Sequence, residues 1–354
     1  MGRGHPARDL PPRPHACTLP LPPAPPLPLM PFAPRPPRLL QLHRPDDEAL
    51  AAEAAAGLQA QPARAEPKLF YDTLGSRLFE AITELDEYAT TRSEAALMQA
   101  QGASVAQAVL ALTGPAPVLV DLGAGNCAKA AGLFATVQPR RYVAVDIAAD
   151  FLAAALQTLQ AAHPHIEMVG VGLDFSARLQ LPAGLVDGPA LVFYPGSSIG
   201  NFTPEAALPL LRQARELAAG GALLIGVDLL KPAPLLQAAY DDELGVTAAF
   251  NLNLLRHLNR LLGANFQPRQ WRHVALFNEA QSRVEMHLEA REALAVQWPG
   301  GERRFAAGER LHTENACKYT LEGFAALLRD AGCTQVQHWV HGPGQFAVFL
   351  ASAH

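Results

Sequence analysis

The sequence predicts an α/β fold: a doubly wound, mostly parallel sheet that carries a second, smaller domain. Three observations point there. Five apolar runs alternate with helical stretches between residues 116 and 229, the texture of a parallel sheet covered on both faces. A glycine-rich turn, VDLGAGNC at 120–127, follows the first run, and an acid, Asp146, ends the second. A small polar loop follows the fourth, within FYPGSSIGNF at 193–202, and in open sheets of this kind ligands bind at the carboxyl ends of the strands.

In chain order, residues 1–45 come first and hold nearly half of the 31 prolines. They read as a disordered or polyproline-like tail in which Met30 is an alternative start. Proline interrupts every apolar run there, so no signal-peptide core forms, and no later segment looks long and apolar enough to span a membrane. Residues 46–59 put acids ahead of alanines, the pattern of a helix. The stretch 67–98 places Leu74, Leu78, Phe79, Ile82 and Leu85 at helical spacing, which predicts short helices with turns between them.

The strands are APVLVD (116–121), RYVAVD (141–146), IEMVGV (166–171), ALVFY (190–194) and ALLIGVDL (222–229), with helices near 127–137, 149–162 and 204–218. Beyond Lys231 the alternation stops. A helical region (233–262) is followed by RHVALFNEA and SRVEMHLEAR, which read as an antiparallel hairpin. A helix at 321–331 and strands near 334–340 and 345–351 return to the sheet as a closing antiparallel pair. The expected division is a tail (1–45), N-terminal helices of a substrate domain (46–98), a sheet domain (99–230), an inserted substrate domain (231–316) and the end of the sheet domain (317–354).

The composition, 49% hydrophobic and 17% charged, is that of a globular protein. A net charge of −5 argues against nucleic acid as an obligatory partner. Cys17, Cys127, Cys317 and Cys333 show neither CxxC pairing nor metal-like spacing, and His287 and His312 lack HExxH-type partners. The expectation is reduced thiols in a cytoplasm, no metal and a monomer.

Gly123 and Gly125 allow close backbone approach to a ligand, and Asp146, 21 residues past Gly125, can accept from ribose hydroxyls. Asp121 favours S-adenosylmethionine over NAD, because an acid suits the cationic methionine end and would repel a pyrophosphate. Lys129 is the only cation near the loop. Asp174 and Phe175, just past the third strand, offer an acceptor for an adenine amino group and a flat contact for its ring. In the fourth-strand loop, Gly196 and Gly200 again permit close approach, while Asn201 is a neutral amide that both donates and accepts.

Several segments, in order, resemble one family: FYDTLGSRLFEAITELDEY, VDLGAGNCAKA, VAVDI, FYPGSSIGNF, GVDLLK, AAYDDELGVTAAFNLNLL, RVEMHL and GERLHTENACKYT. Together they closely resemble the histidine Nα-methyltransferases, which form trimethylhistidine (hercynine) on the route to ergothioneine; the likeness runs from about residue 40 to 352. The resemblance implies a Rossmann-like methyltransferase sheet and a substrate domain built from N-terminal helices and an insertion after the fifth strand. For the cofactor it points to Tyr71, Gly123, Gly125, Lys129, Asp146, Asp174 and Phe175. For the amino acid it points to Tyr88, Asn201, Tyr240, Thr247, Met286 and Glu314, with Gly196 and Ser198 shaping the wall.

The implied roles follow from methyl transfer to an amine. Asn201 anchors the amine without a charge that would favour ammonium, Tyr240 grips the carboxylate, and Glu314 accepts from the imidazole N–H. Tyr71 and Tyr88 face the growing cation, and Asn201 and Tyr71 are the candidate catalytic pair. Two positions depart from the family: Ala89 replaces a tyrosine, and Ala316 replaces a serine that would be a second partner of the imidazole. Asn315, Cys317 or a water could take its place. An Nα-methyltransferase for another aromatic or imidazole amino acid is therefore an alternative, as are a SAM-sensing protein without catalysis and, at the level of the fold, a dehydrogenase.

Overall fold

The computed structural model describes residues 1–2, 36–42, 47–176, 178–342 and 345–354, so most of the expected tail, Cys17 and Met30 included, lies outside the described residues. The tail reading is corrected at its end. Arg38–Gln41 form strand β1, parallel to the later strand that contains Val169–Gly172. RLLQ carries no proline, so all four residues keep the N–H that a ladder needs.

Helix α1 (Asp47–Gln59) follows, then a short 3-10 turn (Pro67–Phe70), α2 (Thr73–Thr83) and α3 (Ala89–Thr113). Asp72 starts α2 by accepting from Gly75 N at 2.7 Å, which satisfies one of the unpaired N–H groups of a first turn. The sheet then alternates with helices: β2 (Val118–Leu122), α4 (Ala128–Ala131), α5 (Phe134–Val137), β3 (Arg141–Asp146), α6 (Ala149–Ala162), β4 (Glu167–Gly172), β5 (Ala190–Tyr194), α7 (Pro204–Leu217) and β6 (Ala222–Asp228). Pro204 opens α7, where its missing N–H costs nothing.

After β6 come α8 (Ala233–Ala238), α9 (Val246–Leu262), β7 (Trp271–Asn278), β8 (Arg283–Ala290), β9 (Leu294–Trp298), β10 (Gly301–Phe305) and β11 (Arg310–Cys317). Strands β7 and β8 pair antiparallel, as the alternation implied. The β9–β10 hairpin and β11, which pairs with β8, were not foreseen. The chain ends in α10 (Leu321–Asp330), β12 (Val336–His341) and β13 (Phe346–Ser352).

The main sheet runs β1-β4-β3-β2-β5-β6-β13-β12, parallel through β6 and antiparallel at β13 and β12. The order reverses between β2 and β5, and a crevice for ligands opens at the carboxyl ends of strands on either side of such a switch. The glycine-rich turn follows β2 and the PGSSIGN loop follows β5. One apolar cluster covers each face of this sheet. A third joins Leu58, Phe70 and Ile82 to Phe250, Leu254, Met286 and Leu311. Segments from before and after the sheet thus share one core.

The expected boundary at residue 98 lies inside α3, whose Leu97, Val105 and Val109 pack on the sheet. Against the sequence expectation, α3 is long and apolar enough by composition to cross a membrane. Its buried face instead meets β13 and β12.

Candidate active site

The glycine turn is held by the acid that ends β3. Asp146 Oδ2 accepts from Gly125 N at 2.8 Å and its Oδ1 from Ala148 N at 2.9 Å. Gly123 and Gly125 sit at φ +70° and +51°, the left-handed region that side chains avoid. Phe175 stands over this turn, 3.9 Å from where a Cβ on Gly123 would lie, with its ring edge-on to Tyr194 at 5.8 Å. Asp174 is not free: its Oδ1 takes Ser176 and its Oδ2 takes Lys68 Nζ at 3.1 Å.

The ten remaining candidates converge. Tyr71, Tyr88, Gly196, Ser198, Asn201, Tyr240, Thr247, Met286, Glu314 and Ala316 all line one cavity enclosing about 590 Å³, part of it open to solvent. Gly123, Gly125, Lys129, Asp146, Asp174 and Phe175 lie outside that lining, along the carboxyl ends of β2, β3 and β4.

Local rules put these side chains there. After β5 the chain turns through left-handed Gly196 and Ser197 (φ +75° and +60°) into a short 3-10 turn, Ser198–Asn201. Ser197 Oγ accepts from Asp228 N at 2.9 Å, pinning the loop to the end of β6. A Cβ at Gly200 would come within 2.9 Å of Cys317 O, so only glycine lets the loop lie against β11. On β11 the register slips between His312 and Glu314, which makes Glu314 the cross-strand partner of Met286 while His312 opposes His287. The bulge re-aims one side chain into the cavity. On α9, Thr247 and Phe250 share a face, and Asp242 accepts from Val246 N and Thr247 N at 2.9 and 2.7 Å to start the helix.

Burial sets the electrostatics of the lining. Glu314 is 7% exposed, and burial pushes its carboxyl up to about 8, with Lys318 pulling the other way. Burial also raises the Tyr71 and Tyr240 hydroxyls well above their usual range, so both stay protonated. Tyr71, Phe79, Tyr88, Tyr240 and Phe250 form a chain of ring contacts with centroids 5.8–6.4 Å apart, a wall suited to a cation.

Sequence reasoning assigned no role to Phe250, Lys318 or Glu94, and placed Phe79 only as a helix position. Lys318 lines the cavity. Glu94, on α3 and 4% exposed, joins the two halves of the site. Its carboxylate accepts from Gly196 N at 2.9 and 3.1 Å and pairs with Lys129 Nζ at 2.7 Å. The Glu94→Gln variant keeps an acceptor but loses the ion pair. Its kcat/KM is expected to fall about 10- to 100-fold, the worth of one charged hydrogen bond. A variant that melts lower but whose folded fraction works at the wild-type rate would show that Glu94 is only structural.

The groups present fit S-adenosylmethionine. Asp146 and Asp174 would be acceptors for ribose and adenine through lone pairs beyond those already engaged, Phe175 would be a flat contact, and Lys129 would suit a carboxylate. Asp121, 1% exposed, binds Tyr142 Oη through Oδ2, while its Oδ1 is buried with no partner among the described residues. Among the described residues no cluster of three or more His, Cys, Asp or Glu could hold a metal.

Comparison with known proteins bears on this geometry. The profile of the family described as "Histidine-specific methyltransferase, SAM-dependent" matches residues 50–353. The chain is 39% identical over 312 residues to the histidine N-alpha-methyltransferase of Mycolicibacterium smegmatis, covering 86% of this chain and 95% of that protein. The Mycobacterium tuberculosis protein of the same name is 38% identical over the same shares. Ergothioneine biosynthesis protein 1 of Schizosaccharomyces pombe is 30% identical over 239 residues, 64% of this chain and 31% of that protein.

Proposed function

The chain belongs to the family of SAM-dependent, histidine-specific methyltransferases, and on that footing we propose that it methylates the α-amino group of L-histidine three times. The product is Nα,Nα,Nα-trimethylhistidine (hercynine), on the route to ergothioneine. The observation that carries this reading is the joint lining of one cavity by Glu314, Met286, Asn201 and Tyr240.

When bound, S-adenosylmethionine supplies an electrophilic methyl group on a sulfonium. The chain's own residues do the rest. The loop carrying Gly196 and Ser198 sets the wall where amine and methyl meet, and Asn201 holds the nitrogen lone pair in line. Each of the three transfers needs a neutral amine, which sheds its proton to solvent before each one while the pocket is open, so a general base is less needed than in acyl transfer. Tyr71, Tyr88 and their ring neighbours then tolerate the positive charge that grows with each transfer, at about 0.5–2 kcal/mol per well-placed ring. Glu314 accepts from the imidazole N–H, and Gly123, Gly125, Lys129, Asp146, Asp174 and Phe175 hold the donor. Cys127, Cys317 and Cys333 are unpaired, which supports a cytoplasmic location, and we take the working unit to be a monomer.

Incubation with S-adenosylmethionine and each of the twenty amino acids, read by mass spectrometry, tests the substrate. Histidine gaining three methyl groups is the expected result; three methyls on another amino acid and none on histidine overturns it.

A second reading, an Nα-methyltransferase for a related aromatic or imidazole amino acid, is favoured by one observation. Ala316 lines the cavity, and Asn315 does not replace the missing hydroxyl, because it faces the other side of β11 and binds His312 Nε2 at 3.0 Å. Restoring the hydrogen bond is worth about 1–3 kcal/mol. The Ala316→Ser variant is thus expected to lower the histidine KM about tenfold or more. An unchanged KM would mean that Cys317 or a water already fills the role.

A further inference from the structure

Lys318 follows the last residue of β11, lines the cavity and is 4% exposed. Its ammonium lies 2.9 Å from Asp228 Oδ2, 2.9 Å from Tyr240 Oη and 4.8 Å from the Tyr240 ring centroid. The other oxygen of Asp228 holds the ammonium of Lys231. Two ammonium groups thus share one carboxylate, and a charge of +1 is left over at the cavity wall.

The bond to Tyr240 has only one possible direction. An ammonium has three N–H donors and no lone pair, so Lys318 donates and the tyrosine oxygen accepts. The single hydrogen of that hydroxyl must point elsewhere. Tyr240 is held at its ring, edge-on to Tyr88 with centroids 6.1 Å apart, and at its backbone. Its backbone carbonyl accepts from His273 Nε2 at 2.7 Å, and Asn251 Nδ2 donates to the Nδ1 of the same ring at 2.8 Å, which fixes the tautomer. With Lys318 at its hydroxyl and His273 at its backbone, Tyr240 presents an O–H to the cavity with uncompensated positive charge behind it. An anion is the natural acceptor.

We infer that Lys318 is the positioning residue of the substrate-carboxylate subsite: it turns the Tyr240 O–H toward the carboxylate and, with Lys231 and Asp228, supplies the charge that distinguishes an α-amino acid from its decarboxylated amine. This deepens the histidine reading and rests on it.

The test compares histidine with histamine on the full chain, with kcat and KM measured for wild type, Lys318→Met, Lys318→Arg and Tyr240→Phe. Wild type is expected to prefer histidine by about 100-fold or more in kcat/KM. Lys318→Met raises the histidine KM about 10- to 100-fold with kcat nearly unchanged, the range for a lost charge-assisted hydrogen bond. Its histamine turnover stays within about threefold, a change of under 1 kcal/mol. The preference therefore collapses, and Lys318→Arg restores part of it. Should Lys318→Met fail to fold because Asp228 loses a partner, Tyr240→Phe leaves the ion pair intact and must show the same collapse. A fall equal for both substrates, or an unchanged preference in the folded variants, overturns the assignment. If wild type methylates a different amino acid and not histidine, the histidine reading fails alone, and the same ratio is read on that amino acid and its decarboxylated amine. If wild type methylates no amino acid, both fail.

Discussion

Glu314→Gln is expected to cut kcat/KM for histidine by up to about 100-fold, because the amide cannot ionise against the imidazole N–H of bound histidine as the carboxyl can, and yet to stabilise the unliganded protein at alkaline pH. Both effects come from one carboxyl group that burial pushes from 4.5 up to about 8. The folded protein holds this proton more tightly than the unfolded chain does. Below pH 4.5 both states are protonated and nothing is lost. As pH rises from 4.5 towards 8 the folded state loses relative stability, and above 8 the loss is complete. A shift of this size corresponds to about 4–5 kcal/mol. Glutamine does not titrate, so the stability difference between variant and wild type should widen between pH 5 and 8.5 in denaturant unfolding. Asp121, raised by burial to about 7, acts in the same direction but is present in both proteins and cancels. Parallel stability curves would contradict the buried carboxyl; a wild-type rate in the variant would contradict its role at the imidazole.

Asn201 is expected to show its function through the contrast of two substitutions. Asn201→Ala removes the amide that holds the amine, and small misplacements of reacting atoms cost about 100-fold in rate. Asn201→Asp keeps shape and acceptor but adds a negative charge, which favours the ammonium form and removes the lone pair that attacks. Asn201→Asp should therefore be slower than Asn201→Ala at pH 7 and recover part of its kcat at pH 9, where Asn201→Ala gains less. Identical pH profiles for the two variants would show that neutrality at this position is irrelevant.

Much of this was legible before any coordinates. Continuous apolar strands such as VLVDL and ALVFY, separated by helical stretches, can only be covered on both faces, whereas the place of the switch, between β2 and β5, needed the strand order itself. What escaped depends on contacts between distant segments. Glu94 lies on a helix 102 residues before Gly196, and no local pattern marks it out from a solvated acid. Strict alternation along β11 would put His312, Glu314 and Ala316 on one face; the bulge at Thr313 sends His312 to the other, beside Asn315, which alternation alone already keeps away from the cavity. Lys318 stood inside the recognised segment, but its role needs Asp228 and Tyr240 beside it, from β6 and the segment after α8. β1 was hidden in a proline-rich context because four residues are too few for periodicity to show.

The antiparallel partner of β6 has a consequence for how the chain reaches this structure. β6 pairs with β13, Asp228 opposite Phe346, so its second edge waits for about 120 further residues. Those residues include the helices and strands that carry Tyr240, Met286 and Glu314. During synthesis the nascent sheet therefore presents ALLIGVD as an open, apolar edge, the kind of template that recruits strands from other chains. Closing it is a long-range pairing, and such pairings are slow. Yield in recombinant expression should thus depend on chaperone supply and temperature more than the stability of the finished protein would suggest.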